Sequence, residues 1–253
     1  MKKRDSFLFG FTLAEVLITL GIIGIVAMLI LPPLVQNYQE KETITQLKRI
    51  YSILSQASLA AVADNGDASS WVTTAASWND VSTAFVDTLA PYLKIAKRCD
   101  FSAGGGCFAQ GVMYKRLNGN NYAVFDDFVD IRLKFRLEDG TSVAYYPYST
   151  RCTTVEGTGV ALGSTCGEFM IDLNGYKGPN IQGVDFFSIH LTKTGILVPE
   201  GVPDDKTVFA SASGCQDKST AAGWACAGWI LLNGNMDYLH CSDLDWGGKT
   251  KCN

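Results

Sequence analysis

The chain has 253 residues, 47% of them hydrophobic and 18% charged, with a formal net charge of -4. That length allows one large domain plus a helical arm, and the mildly acidic balance argues against a general nucleic-acid binder. All eight cysteines (Cys99, Cys107, Cys152, Cys166, Cys215, Cys226, Cys241 and Cys252) lie beyond residue 98. An even count confined to one part of the chain predicts disulfides made in an oxidising compartment. No CxxC pair occurs, which argues against the common zinc sites. Short sequence-local loops, 99–107, 152–166, 215–226 and 241–252, are the expected pairings.

The chain begins MKKRDSFLFG, and residues 11–35 then read FTLAEVLITLGIIGIVAMLILPPLV, with Glu15 as the single charge. About 20 apolar residues cross a bilayer as a helix. Lys2, Lys3 and Arg4 precede the span and predict a cytoplasmic N-terminus with the rest outside, in agreement with the cysteine usage. A secretory signal ends its apolar core at a small-residue cleavage site. Here Gly10 stands before the core, so a cut there leaves the helix on the mature chain. Losing residues 1–10 removes three basic side chains and one acidic one, which makes the mature chain more acidic.

The run Gly10-Phe11-Thr12-Leu13-Ala14-Glu15-Val16-Leu17-Ile18 resembles the class III signal of type IV prepilins and of type II-secretion pseudopilins. The resemblance covers roughly the first 35 residues. It implies a prepilin peptidase that cuts between Gly10 and Phe11 and methylates the new Phe11 amine. It implies a pilin-like α+β fold, with a long N-terminal transmembrane and amphipathic helix on an antiparallel β-sheet head stapled by disulfides. Implied partners are other pilin or pseudopilin subunits, the peptidase, the membrane and an inner-membrane assembly platform. The implied location is the inner membrane as a single-pass precursor with a periplasmic head, then an extracellular pilus or a periplasmic pseudopilus.

The physics of Glu15 supports the same reading. A carboxylate in a membrane helix costs about 2.5–3.5 kcal/mol on insertion scales, so it is either functional or snorkels to the interface. In a mature chain the Phe11 amine is positive, and pairing with Glu15 of another subunit would satisfy both charges in low dielectric. That contact would fix axial register. Pro32-Pro33 is either a helix end or a kinked or loosened stretch, with Gly21 and Gly24 weakening the same segment. The position of Pro32 is similar to the kink of the family.

From residue 36 to 63 the pattern becomes amphipathic, with Ile44, Leu47, Tyr51 and Leu54 at three- and four-residue spacing. One helix is expected from about Phe11 to about Ala63, stopped by Asp64-Asn65-Gly66-Asp67. Three parts follow: a leader (1–10), the helix (11–63) and a globular head (64–253). In the head, 80–94 is an expected short helix with Asp80 or Ser82 near its start. Segments 122–125, 131–137, 142–146, 168–173, 185–191 and 229–232 are expected strands, with a hairpin at Asp139-Gly140. Two readings compete for residues 172–185. One is a tight turn in which Asx side chains bond the backbone; the other is a calcium loop on Asp172, Asn174 and Asp185.

No sequence signature of catalysis emerges. His190 reads as a strand residue and His240 adjoins Cys241. No GxSxG, HExxH, P-loop or dinucleotide fingerprint occurs. The expectation is a structural, non-enzymatic subunit of a type IV pilus. The alternatives are a type II-secretion pseudopilin and, from another class, a membrane-anchored periplasmic enzyme or binding protein.

Overall fold

The computed structural model describes residues 12–252, so the expected processing residues Gly10 and Phe11 lie outside the described part. Helix α1 runs Leu13–Asn65. It starts on a reciprocal cap: the Thr12 hydroxyl accepts from the Glu15 N–H at 3.2 Å, and the Glu15 carboxylate accepts from the Thr12 N–H at 2.8 Å. The helix continues through Pro32 and Pro33. Lacking N–H groups, those two prolines leave the carbonyls of Met28 and Leu29 without their usual donors. A helix end at the prolines is therefore not what this chain does, since the amphipathic half carries the helix onward. It stops where expected, at Gly66, which adopts φ +75° and donates its N–H to the Val62 carbonyl at 2.9 Å.

The chain divides at Lys41/Glu42 into two compact units, so α1 is shared between them. In the first unit the apolar side chains of residues 13–35 are exposed almost throughout, and the most apolar window has no buried residue. By length and composition α1 can cross a membrane.

The second unit holds residues 42–65 of α1 together with the head. Among the described residues are eight strands: β1 (Ile95–Asp100), β2 (Met113–Lys115), β3 (Asn121–Val124), β4 (Leu133–Leu137), β5 (Ser142–Pro147), β6 (Thr165–Asp172), β7 (Phe186–Thr192) and β8 (Leu197–Pro199). The main sheet is antiparallel in the order β1-β4-β5-β6-β7-β8, and β2-β3 forms a separate ribbon. β4 and β5 meet at the expected Asp139-Gly140 turn, with Arg136 opposite Ser142.

Strand alternation sorts the core into two layers. Val143 and Tyr145, Phe169 and Ile171, and Phe187 and Ile189 face one side. There they join Leu47, Ile50, Leu54, Ala57 and Ala61 of α1, and Val81, Phe85, Val86 and Leu89 of α2 (Trp78–Leu89). Their neighbours Ala144, Met170 and Phe186 face the other side, with Phe108, Tyr114 and Phe125 from the 101–128 segment. Covering both faces explains why every residue of β6 and β7 is buried. Burying each large apolar side chain contributes about 1.5–3 kcal/mol.

Several local expectations need correction. α2 begins at Trp78 rather than at residue 80, on a Ser77 cap in a capping box with Asp80, which stands in the first turn as expected. Ser82 lies inside the helix and bonds the Ile131 carbonyl. The helix stops at Leu89, next to Pro91, where a one-turn helical segment takes over. Residues 229–232 are helical, part of α3 (Cys226–Asn233), and not a strand. A short apolar run has no periodicity to separate the two states; here Gly228 lets the helix backbone approach the Gly201 turn, where a Cβ would meet Val202 N at 2.6 Å. β1, β2 and β8 carried no clear signal, being short or polar. The four disulfides join Cys99–Cys107, Cys152–Cys166, Cys215–Cys226 and Cys241–Cys252, the sequence-local set.

Candidate functional site

The expected assembly residues fall on the first unit. Glu15 is exposed near the start of α1, and its carboxylate accepts from both the N–H and the hydroxyl of Thr12, at 2.8 Å each. It lies in the first turn of an exposed apolar surface formed by Leu13, Val16, Leu17, Ile18 and Leu20. A carboxylate in the first turn also complements the positive end of the helix dipole. Pro32 sits on the same segment, one turn beyond Met28.

The 172–185 loop joins β6 to β7. Asp172 Oδ1 accepts from the N–H groups of Asn174 (3.2 Å) and Gly175 (2.9 Å), and Oδ2 accepts from the Tyr114 hydroxyl. Asp185 Oδ2 accepts from Asn180 N–H (2.8 Å) and Asn174 Nδ2 (3.0 Å), and Oδ1 from Ile181 N–H (2.7 Å). Burial and the neighbouring Asp185 charge push the Asp172 carboxyl up to about 8, against three donors that favour the ionised form. Burial also raises Asp185, opposed by its own donors. Gly175 is required by geometry, with φ +66° and the Gly140 carbonyl 2.5 Å from where a Cβ would stand. All four carboxylate oxygens thus face N–H or O–H donors, and Asn174 turns its amide nitrogen toward Asp185. This arrangement favours the Asx-turn reading over a cation loop. Among the described residues no group of three His, Cys, Asp or Glu side chains is placed to hold a metal ion.

Gly104–Gly106 is not a phosphate cradle. The N–H groups of Gly106, Cys107 and Phe108 all go to the buried Asp126 carboxylate, at 2.9 to 3.0 Å. Behind it, the buried Lys134 ammonium donates to the carbonyls of Ser102, Asp126 and Phe128. Trp229 and Trp246 pack with Phe209 rather than forming an exposed sugar platform.

The sequence did not reveal a buried polar cluster on the outer face of β6 and β7. Glu168 stands directly opposite His190 across the ladder. Glu200 and Asp205 come from the turn after β8, and all four are at most 7% exposed. His190 Nε2 lies 3.2 Å from Asp205 Oδ2, without the alignment of a full hydrogen bond. Burial by itself would lower the His190 pKa, but Asp205, Glu200 and Glu168 outweigh it and bring it up to about 9. Burial and then the Glu168 charge push Glu200 up to about 8, and burial raises Glu168. The only advance signal was a Glu and a His in otherwise apolar runs, on the strand face opposite Phe169, Ile171, Phe187 and Ile189.

A family model matches residues 33–170, slightly more than half of the chain, so the protein belongs to that family, described as a family of unknown function (DUF6613). The match begins at the second proline and takes in the amphipathic half of α1 and the head as far as β6. No curated protein and no solved structure matches the chain.

Proposed function

We propose that this chain is a structural subunit of a type IV pilus, cleaved after Gly10, N-methylated at Phe11 and polymerised through α1. One observation carries the reading. Residues 13–35 form a continuous helix whose apolar side chains are exposed, with Glu15 the only charge among them. An apolar surface of that size is not left in water. A bilayer covers it before assembly, and a bundle of like helices covers it afterwards. In the bundle, Glu15 pairs with the Phe11 amine of a neighbouring subunit, exchanging its cap contact for a charge contact in low dielectric. The precursor spans the inner membrane with its head in the periplasm, and the mature subunit passes through the assembly platform into the filament. The head carries no catalytic role in this reading.

Intact mass and N-terminal sequencing of the protein from native membranes test the proposal. A chain beginning at N-methylated Phe11 supports it. A chain beginning at Met1, or cut beyond the apolar block, overturns it in favour of a membrane-anchored enzyme or binding protein. If processing occurs, surface filaments containing the subunit support a pilus, whereas its confinement to the periplasm with loss of protein secretion on deletion supports a pseudopilus.

A further inference from the structure

We propose that Glu168, His190, Glu200 and Asp205 form a proton-held latch that fastens the β8 edge and the 200–207 turn to β7 and lets go in alkaline medium. The cluster lies beside the edge of the main sheet. β8 is the last strand of the sheet and only three residues long, paired with β7 through Ile189–Pro199, His190–Val198 and Leu191–Leu197. Edge segments with so few ladder bonds open well below the cost of global unfolding. The turn beyond is organised by Asp205, whose carboxylate accepts from Gly201 N–H at 3.0 Å and Thr207 N–H at 2.7 Å. Glu200 tethers α3 as well, its carbonyl accepting from Gly228 N–H at 2.8 Å.

The charge balance makes protons the fastening element. Three carboxylates, one from β6 and two from the turn after β8, face the one imidazole of β7. Tyr148, at the end of β5, hydrogen-bonds Glu168, and Glu156 from the 153–164 segment adds negative charge. Thr207 bonds Glu200. The Arg132 guanidinium also acts on Glu168, but Asp130 already holds it. Glu200 Oε2, His190 Nδ1 and Ser188 Oγ are buried without hydrogen-bond partners. With every carboxyl ionised and the imidazole neutral, this pocket would hold unpaired charges, and burial penalises them heavily. Protons on His190 and on a glutamate remove that penalty.

The sign follows from the folded-state values. Burial and the Glu168 charge hold Glu200 up to about 8, well above an ordinary carboxyl, and the surrounding carboxylates hold His190 up to about 9, above an ordinary imidazole. Both hold protons in the folded state that the unfolded chain has lost, so their contribution to stability is fully present at low pH and is lost as pH rises through about 8 to 9. Asp172, on the loop after β6, titrates in the same direction, so the test must be local.

The test is amide hydrogen exchange and thermal melting of the full chain in detergent micelles, from about pH 5 to about pH 9, with exchange corrected for its intrinsic pH dependence. Expected are a falling Tm and opening of 197–207 that rises on the order of tenfold per proton released per pH unit, with little change in β4 and β5. Glu200→Gln should flatten both trends. Unchanged protection of 197–207 across the range would overturn the proposal, even if Glu200→Gln failed to fold. So would a pH trend that Glu200→Gln leaves intact but Asp172→Asn abolishes. Loss of protection on adding EDTA at about pH 6 would also overturn it, because a bound cation and not protons would then hold the latch.

Discussion

Single side chains decide two of the functional questions. In the proposed filament, Glu15→Ala should leave membrane insertion and cleavage intact while cutting filament yield by roughly tenfold or more, because the partner amine is left unpaired in low dielectric. Immunoblotting of membranes and of sheared filaments measures both, and a normal yield would remove Glu15 from register-setting. In the 172–185 loop the carboxylates act as anchors for the backbone. Asp185→Ala strands the N–H groups of Asn180 and Ile181, and each buried unsatisfied donor costs about 1–3 kcal/mol. A loss of roughly 2–6 kcal/mol in denaturant unfolding is expected from those two donors. Calcium chelation should leave the melting curve unchanged, since the carboxylate oxygens already face donors; a drop in Tm would restore the cation reading of Asp172, Asn174 and Asp185.

At the level of elements, the two halves of α1 obey different rules. Residues 42–65 are held by packing: Leu54 is 2% exposed in the core cluster that also holds side chains of the sheet and of α2, and Leu54→Ala should cost about 2–5 kcal/mol. Substitutions at Leu17 or Ile23, 61% and 63% exposed, should leave head stability unchanged and alter only insertion or assembly. Scanning both halves by thermal melting in micelles separates the two roles. The helix α2 is set by its cap, and Ser77→Ala should destabilise by about 1 kcal/mol. The missed boundaries share one cause. α3 is an apolar octet whose state depends on Gly228 reaching the Gly201 turn, and β8 is a strand only because β7 offers it a ladder.

For the molecule as a whole, the disulfides and the two-sided sheet work together. The four bridges close loops of 8 to 14 residues in a head whose segments 101–112, 149–164 and 201–225 hold little regular structure. Cys215–Cys226 ties the 201–225 segment to the start of α3. Replacing both cysteines by serine should cost about 2–3 kcal/mol for a loop of this length and expose 208–225 to limited proteolysis while leaving β4–β7 protected. Equal loss of protection in the central strands would show that the bridge supports the core and not the loop alone. Cytoplasmic production without the leader and span, where thiols stay reduced, should yield a head with the same weakness.

What the sequence by itself determined has short-range causes. The apolar span, its single charge, the Gly66 stop, the Asp139-Gly140 hairpin, five of the strands and the cysteine pairing all follow from composition, periodicity or nearest spacing. Family membership covers residues 33–170, so the N-terminal motif and the matched span are separate lines of information about the chain. Only the tertiary structure decided the rest. Glu168, His190, Glu200 and Asp205 are scattered over 38 residues and become one cluster only because β6, β7 and β8 lie side by side. Their protonation is a property of shared burial, which no single residue's surroundings in the sequence encode.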